Sequence, residues 1–443
     1  MNKAALLICV LLAGCASRAP ASPASFNPAR PPEAARDALV LTPDADGTWT
    51  AQYAFAEVGT EWVFPRSRGD YRTSTWTSLS EGASIVREDG VDRIRLAEPG
   101  REVRFRFTPT TGPLDRTYDP ALVFTDGSVA LYLDQFSVVP LDRALDAIAT
   151  PAPTPGDLSV TRPCLDVTFG TESRVVAGGT ITQGPYRLEP FCEPAPDYVY
   201  VGDIPLTRGA AVTGVIDPGL PDWLRNDLEP RLAATFDELS RRFGDPLEAT
   251  PAVLLSFGSD PIEGLSQTGG FLPGLLAFSL SGTAFDAPNE RLSRYLDWFL
   301  AHEGTHVFQF RDGQDPSRAP WLYEGHASAM AYDVVADIGG ASSEWAAEEI
   351  AAEDGVCDGA ITGVTLAQAL ADQPYACGQR VWRALVSGQG ARYAPLWDAM
   401  LESAGDEPLT PEHLAAALSV ARGQALLRAL ETSGQEAFEV LER

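Results

Sequence analysis

Residues 302–306 read HEGTH and place two histidines four positions apart, in a chain that has only four histidines in 443 residues. Apolar residues precede this stretch at spacings of three and four, so residues 288–310 are predicted to form one helix. Residues four apart on a helix lie about 40° apart around its axis. The imidazoles of His302 and His306 are therefore expected to point to one place.

Two neutral imidazoles that face one point are typical zinc ligands, which bind this metal at roughly 2.0–2.1 Å. Glu303 lies about 100° around the helix from His302, beside such an ion, where it can accept a proton from a metal-bound water. Two metal-binding histidines and a glutamate that acts as general base are what the HExxH motif supplies in zinc hydrolases. The alternative is that both histidines are hydrogen-bonded core residues.

A third metal ligand has to come from outside this helix. The extended motif HExxHxxGxxH is excluded, because Gln309 and Asp312 stand at its glycine and at its last histidine. An acidic residue, Glu324, instead follows His306 by eighteen positions, within the stretch WLYEGHA at 321–327.

At HEGTH and WLYEGHA the sequence resembles the gluzincin metallopeptidases, in particular the aminopeptidase N-like and glycyl-aminopeptidase-like families. Their shared pattern is HExxH, a spacer near eighteen residues, and WLxEGxA. The resemblance covers about residues 215–400. It implies one Zn²⁺ ion bound by His302, His306 and Glu324, with Glu303 as the general base.

The same families carry a tyrosine in a Y-x-K-G setting, which stabilises the oxyanion of the tetrahedral intermediate. The stretch QPYACGQRVW (373–382) matches that setting at Tyr375 and Gly378, whereas Cys377 stands at the lysine position. The resemblance therefore implies that Tyr375 is catalytic, the alternative being a core tyrosine at a helix start. His326 lies about 200° around the helix from Glu324 and is predicted to point away from the metal.

One departure from the families concerns substrate choice. Their aminopeptidases bind the free amino terminus of the substrate with acidic residues in a GxMEN-like stretch, but residues 268–282 (TGGFLPGLLAFSLSG) contain no Asp or Glu. Aminopeptidase and endopeptidase action therefore both stay open. Within this region, GLLAFSLSG (274–282) is predicted to be the edge strand of a sheet, facing the cleft, where it can pair with an extended peptide.

The chain is predicted to be an α+β multidomain protein. Residues 37–205 alternate apolar and polar side chains between Asp-Gly turns and predict an antiparallel β domain. Residues 206–443 predict a mostly helical domain with a small sheet, and the resemblance to the gluzincins implies that it is a thermolysin-like catalytic domain. Its helices are predicted at 222–246, 288–310, 321–336, 341–353, 375–388, 394–403 and 411–431.

The amino terminus predicts export. Residues 1–14 combine Lys3 with a short apolar run that suits a signal peptide, and LLAGC resembles the bacterial lipobox with Cys15 as the lipid acceptor. Residues 15–36 are rich in Ala, Pro and Ser and predict a flexible tether. We expect a lipid-anchored protein of the bacterial cell envelope, on the periplasmic side of the outer membrane or exposed on it.

The remaining composition restricts the partners. A formal net charge of -28 disfavours nucleic acid, which binds through an excess of Lys and Arg. The expected partners are a peptide or protein substrate and, through the lipid anchor only, the membrane. Of the six cysteines, Cys9 lies in the predicted signal peptide and Cys15 is the predicted lipid acceptor. In an oxidising compartment the other four predict two disulfides, and the spacings favour Cys164–Cys192 and Cys357–Cys377.

The sequence thus predicts a zinc metallopeptidase that hydrolyses peptide bonds outside the cytoplasm. Two alternatives stay open. One is a non-catalytic surface lipoprotein that keeps a zinc-binding peptidase fold, and the other is a zinc hydrolase of cell-wall peptides. The presence of Glu303 argues against the first, because a purely structural metal site needs no general base.

Overall fold

A computed structural model describes residues 36–67, 69–110, 119–150, 157–161, 164–188, 198–244, 247, 249–258, 262–272, 274–310, 319–338, 342–387 and 392–442. Residues Arg36–Arg443 form one compact unit. The predicted signal peptide, Cys15 and the tether up to residue 35 lie outside the described residues. The domain boundary near residue 205 stays a prediction. Over the described ranges, every helix is too short or too polar to cross a bilayer.

The described strands form three sheets. In chain order they are β1 (Asp37–Pro43), β2 (Trp49–Val63), β3 (Trp76–Ser78), β4 (Ala83–Glu88), β5 (Val91–Phe107), β6 (Ala121–Val123), β7 (Val129–Tyr132), β8 (Val139–Pro140), β9 (Leu165–Phe169), β10 (Arg174–Ala177), β11 (Thr180–Gln183), β12 (Tyr186–Arg187), β13 (Tyr198–Gly202), β14 (Thr207–Arg208), β15 (Thr213–Ile216), β16 (Ala252–Phe257), β17 (Ser266–Leu272) and β18 (Leu275–Ser281).

Most of the helices follow the strands. They are α1 (Tyr71–Thr75), α2 (Leu141–Ala149), α3 (Asp222–Phe243), α4 (Glu290–Gln309), α5 (Pro320–Ile338), α6 (Ser342–Ala360), α7 (Leu366–Asp372), α8 (Ala376–Val386), α9 (Tyr393–Ala404), α10 (Pro411–Ala417), α11 (Val420–Glu431) and α12 (Glu436–Glu442). The predicted α+β class is confirmed, with a β-rich first part and a helical second part.

Two sheets build the β-rich part. The first has the order β12-β9-β1-β2-β5-β3, with β4 on β5 and β8 on β2, and the second has the order β11-β10-β13-β7-β6. The strands pair antiparallel as predicted, except that β1 and β9 run parallel. Alternating apolar side chains such as Leu39, Tyr53 and Phe105 are fully buried in a core that the two sheets share.

The third sheet lies under the helices and has the order β14-β15-β16-β18-β17. Strands β15, β16 and β18 run parallel, and β17 pairs antiparallel with β18 at the edge. The prediction that GLLAFSLSG forms the edge strand is therefore wrong. This apolar segment is the interior strand β18, and the edge is the glycine-containing strand β17, which local propensity did not reveal.

The helices begin and end for local reasons. Gly244 caps α3 in the left-handed conformation with φ 78°, which a glycine adopts without strain. The side chain of Asn289 caps α4 by accepting a hydrogen bond from the backbone N–H of Leu292 at 3.1 Å. The stretch 411–431, predicted as one helix, is divided into α10 and α11, because Leu418 takes an extended conformation after α10.

One predicted disulfide is confirmed. Cys357 of α6 and Cys377 of α8 are joined, with their Cα atoms 4.9 Å apart. Cys164 is also disulfide-bonded, whereas Cys192 lies outside the described residues. The pairing of Cys164 with Cys192 stays a prediction.

Candidate metal centre

The site is built on α4 and α5, which pack against each other at the edge of the third sheet. His302 and His306 lie on the buried face of α4 and are 3% and 5% exposed. Glu324 lies in the second turn of α5, opposite both histidines. The structure therefore brings together all three residues that the sequence predicted as metal ligands.

The three side chains place their ligand atoms in a triangle, here called the ligand triangle. Glu324 Oε2 lies 3.0 Å from His302 Nε2 and 3.3 Å from His306 Nε2, and the two Nε2 atoms are 3.3 Å apart. Tetrahedral zinc with bonds of 2.0–2.1 Å would separate its ligand atoms by about 3.3–3.4 Å. Both the donor set and its spacing therefore fit a zinc ion.

The electrostatics of the triangle favour a cation. Burial alone would raise the pKa of Glu324, but hydrogen bonds with His302 and His306 outweigh it and bring the pKa to about 2. Burial alone would lower the pKa of His306. The hydrogen bond to Glu324 and the negative charges of Glu303 and Glu324 outweigh that effect and leave the pKa raised.

Glu303 lies beside the triangle and is partly exposed to the cleft. Its Oε2 accepts a hydrogen bond of 2.9 Å from the backbone N–H of Phe271 on the edge strand β17. Gly270 of the same strand lies so close that a Cβ atom there would stand 3.3 Å from Glu303 Oε2. Strand β17 thus fixes the carboxylate on the open side of the site.

Tyr375 caps the amino end of α8 and is 48% exposed, so a bound molecule can reach it. Its ring centroid lies 5.8 Å from that of His302, and its hydroxyl is hydrogen-bonded to Glu324. Burial and the charge of Glu324 raise the pKa of Tyr375. At neutral pH the phenol is therefore a hydrogen-bond donor next to the ligand triangle.

A close crossing of α5 and α8 sets this geometry. A Cβ atom on Gly325 would lie 2.4 Å from the backbone carbon of Gly378, and a Cβ on Gly378 would lie 2.9 Å from Gly325 Cα. Both glycines are needed because the two backbones touch. Trp382 Nε1 donates to the carbonyl of Leu322 at 2.9 Å, which further holds α8 to the turn that precedes Glu324.

Two residues behind the triangle orient the histidines and were not predicted from the sequence. His306 Nδ1 lies 2.6 Å from Gln309 Oε1, and His302 Nδ1 lies 3.3 Å from Ser328 Oγ. The position of Gln309, three residues after His306 on the same helix, was the available signal. Ser328 offered none, because its contact depends on how α4 and α5 pack.

His326 points away from the ligand triangle, as expected. It is fully buried, and burial lowers its pKa to about 3. Its ring lies 4.8 Å from that of Trp382 and 4.9 Å from that of Trp397.

Aromatic side chains flank the triangle on both sides. Trp298 lies 5.1 Å from His302 between ring centroids, and Phe310 stacks on His306 at 5.5 Å. Phe271 and Tyr323 each lie 6.0 Å from His306. Aromatic rings therefore lie beside the ligand triangle.

Comparison with known proteins supports the fold. No protein-family model and no curated protein sequence matches the chain. Among solved structures, it is similar to an aminopeptidase N family protein from Idiomarina loihiensis, with 14% identity over 90% of this chain and 71% of that one, at a TM-score of 0.50.

Two further structures are more distant. An M1 zinc metallopeptidase from Deinococcus radiodurans, as a mutant bound to a Tyr-Ser-Ala substrate, has 15% identity over 91% of this chain and 92% of that one, with a TM-score of 0.39. Yeast LTA4 hydrolase in complex with Bestatin has 14% identity over 86% of this chain and 66% of that one, with a TM-score of 0.43. The fold assignment rests on the Idiomarina protein. The chain has an aminopeptidase N-like fold, as predicted.

Proposed function

We propose that this protein is a zinc-dependent peptidase. The observation that carries the proposal is the convergence of His302, His306 and Glu324 on one point, with the carboxylate of Glu303 beside it. A zinc ion bound there would supply Lewis-acid polarisation of a carbonyl and a water of lowered pKa.

Glu303 is the general base in this proposal. Its carboxylate accepts a proton from the attacking water and then delivers that proton to the leaving amine. The N–H of Phe271 keeps one carboxylate oxygen in place on the cleft side. The other oxygen remains available for the water proton.

Tyr375 stabilises the tetrahedral oxyanion. Because its pKa is raised, the phenol keeps its proton and donates a hydrogen bond as charge develops on the substrate oxygen. Its hydroxyl has to leave Glu324 to do so, and the exposure of the side chain allows that rotation.

The substrate is an extended peptide that lies along the free edge of β17. An edge strand pairs with such a backbone through its outward N–H and C=O groups. This strand, SQTGGFL, carries no acidic side chain that could pair with an α-ammonium group. We therefore favour cleavage within a chain over removal of the first residue.

The proposal includes the cell envelope as the site of action, with Cys15 lipidated and residues 16–36 as the tether. The support is the LLAGC stretch in the sequence. Metabolic labelling with a radioactive fatty acid tests it: the parent chain should incorporate label and Cys15→Ala should not. Equal labelling of both chains would refute lipidation at Cys15.

Hydrolysis is tested with purified protein, an internally quenched peptide library and Glu303→Gln. We expect one zinc per chain, cleavage that a chelator abolishes, and a loss of about 10³-fold in kcat/KM in the variant. Zinc content should be unchanged, because Glu303 lies outside the ligand triangle. A parent protein without zinc, or cleavage that survives the substitution, would refute the proposal.

The library also resolves the position of cleavage when each peptide is offered with a free and with an acetylated amino terminus. We expect acetylation to change kcat/KM by less than about fivefold, since β17 offers no carboxylate to the α-ammonium group and an exposed ion pair is worth about 1 kcal/mol or less. A requirement for the free amine would show aminopeptidase action instead.

A further inference from the structure

A buried chain of hydrogen bonds runs from the ligand triangle to His326. His306 Nδ1 lies 2.6 Å from Gln309 Oε1. The amide nitrogen of Gln309 lies 2.7 Å from His326 Nδ1 and 3.1 Å from the carbonyl oxygen of Tyr323. Gln309 and His326 are both 0% exposed. The chain therefore joins α4 to α5 directly behind the triangle.

The partners in this chain determine where each hydrogen lies. A backbone carbonyl only accepts, so the group of Gln309 that faces Tyr323 must be its NH₂. The same NH₂ donates to His326 Nδ1, which therefore accepts. Oε1 is left facing His306, and because an amide oxygen only accepts, His306 Nδ1 must carry the hydrogen. In the neutral ring, which is the form that binds a metal, the Nε2 atom of His306 is then a bare lone pair directed into the ligand triangle.

A histidine at position 326 is energetically unfavourable unless it makes this hydrogen bond to Gln309. Its ring is enclosed by Trp382, Trp397, Tyr393 and Phe243, where an apolar ring would pack equally well. Its Nε2 faces the backbone of Tyr393 without meeting hydrogen-bond geometry in the described part of the chain. Since a buried polar atom without a partner is unfavourable, the Nδ1 bond to Gln309 is the contact that justifies a histidine here.

We propose that Gln309 and His326 are positioning residues that hold His306 as a metal ligand in one tautomer and one ring orientation. The inference rests on the proposed zinc site. Together with the carbonyl of Tyr323, His326 keeps the amide of Gln309 from turning over, and a turned amide would present its NH₂ to His306 Nδ1. That nitrogen would then have to accept, which moves the hydrogen of His306 to the atom that binds the metal.

The test compares His326→Phe with His326→Asn. Phenylalanine fills the aromatic enclosure but offers no acceptor to Gln309, whereas the Oδ1 atom of asparagine can replace Nδ1. Zinc affinity is measured by competition with a chromophoric chelator, kcat and KM with an internally quenched peptide, and the melting temperature of the zinc-free proteins by circular dichroism.

We expect His326→Phe to weaken zinc binding by about fivefold to tenfold, less than the roughly 10-fold to 100-fold cost of losing Gln309 itself, the outer partner of the metal-bound histidine. At saturating zinc kcat should fall while KM stays within about twofold, because the substrate surface is unchanged. His326→Asn should return zinc affinity to within about threefold of the parent. The zinc-free melting temperatures of all three proteins should agree within a few degrees.

A double-mutant cycle separates the effect of the hydrogen-bond chain from His306 through Gln309 to His326, here called the relay, from an effect of packing. Gln309→Leu removes the acceptor of His306 directly, so adding His326→Phe to it should cost no further zinc affinity. Additive losses, or unchanged zinc affinity in His326→Phe, would overturn the relay. A parent that binds zinc but cleaves no peptide would refute the hydrolysis proposal and leave the relay standing, whereas a parent that binds no zinc refutes both.

Discussion

The protein buries charged and polar side chains in two places that differ in how their atoms are paired. In the β-rich part, the fully buried Arg72 donates to Asp92 Oδ2 at 2.9 Å, to both oxygens of Gln135 and to the carbonyl of Arg66, and its guanidinium lies 4.1 Å from the ring of Phe64. Arg87 occupies the other oxygen of Asp92. The charged groups there are therefore paired with groups of opposite charge.

In the ligand triangle, by contrast, three atoms that can each bind a metal face one another. The Nε2 atoms of His302 and His306 and the Oε2 atom of Glu324 converge within 3.3 Å. The first network pairs its charges without any ligand and stabilises the fold, although Arg72 Nε and Gln135 Nε2 have no hydrogen-bond partner within the described residues. The second gathers three metal-ligand atoms at one point, which is what a binding site for a cation requires.

The largest loss of stability is expected from a substitution in the arginine network of the β-rich part. Arg72→Met removes four hydrogen bonds and leaves Asp92 and Gln135 buried with fewer partners, so we expect a loss of about 3–5 kcal/mol in the free energy of unfolding. Urea denaturation of the zinc-free protein measures it. Arg95→Met is the control: Arg95 is 40% exposed and bonds to Glu61 and Glu88, and its loss should cost less than about 1 kcal/mol. Equal costs would contradict the assignment.

Replacing a residue of the ligand triangle should mainly remove the stabilisation by zinc rather than the stability of the zinc-free protein. In chelator, His302→Leu should cost about 1–3 kcal/mol in the free energy of unfolding, because it leaves Glu324 and Ser328 each with one buried hydrogen bond fewer. With free zinc at 1,000 times its Kd, the parent should gain about 4 kcal/mol and the variant nothing. Thermal unfolding with and without zinc measures both. A variant that zinc still stabilises would show that the ion binds elsewhere.

The helix crossing beside the site can be broken without touching a polar atom. Gly325→Ala places a Cβ 2.4 Å from the backbone of Gly378, and we expect a loss of about 2–3 kcal/mol in the free energy of unfolding. The rate kcat should fall as well, because Glu324 and Tyr375 lie on the two displaced helices.

Gly355→Ala is the matched control for this crossing. Gly355 lies inside α6, and a Cβ atom there would meet nothing within 4 Å. Alanine at such a position should stabilise the helix by about 0.5–1 kcal/mol and leave kcat unchanged. If Gly325→Ala behaved in the same way, the close approach of α5 and α8 would be wrong.

The pH dependence of stability tests a third buried group, the carboxyl of Asp297, which lies on α4 outside both networks. Burial raises its pKa from 3.8 to about 6, although Arg231 and Arg294 oppose the shift. The protonated form is therefore favoured in the folded state. Its contribution to stability is complete below about pH 4 and is lost as the pH rises through about 6.

Asparagine at this position stays neutral at every pH. Relative to the parent, the zinc-free Asp297→Asn variant should therefore gain about 2 kcal/mol between pH 4 and pH 7. Urea denaturation at one-unit pH intervals measures the difference between the two proteins. A difference that does not vary with pH would show that Asp297 is ionised throughout this range.

Some parts of this structure could be predicted because they depend on neighbours in sequence. The spacing of His302 and His306 on one helix follows from helical geometry, and the resemblance of WLYEGHA to the gluzincins supplied Glu324. Gly244 marked the end of α3. Alternating residues such as Val103 and Phe105 indicated half-buried strands.

Other parts depended on partners that are distant in sequence. Strand β17 was missed as the edge strand, because Gly269 and Gly270 weaken its local signal and pairing with β18 makes it a strand. The contact of Phe271 N–H with Glu303 follows from that pairing. Ser328 and His326 gained their roles only when α5 packed on α4.

The sequence by itself determined which groups the protein can use: two imidazoles and a carboxylate that can bind a metal, and a second carboxylate beside them. These are local properties of residue type and helical periodicity. Only the tertiary structure decided how hydrogens are distributed around them. A hydrogen-bond partner acts over about 3 Å, and residues from α4, α5 and β17 come within that distance of one another only in the packed protein.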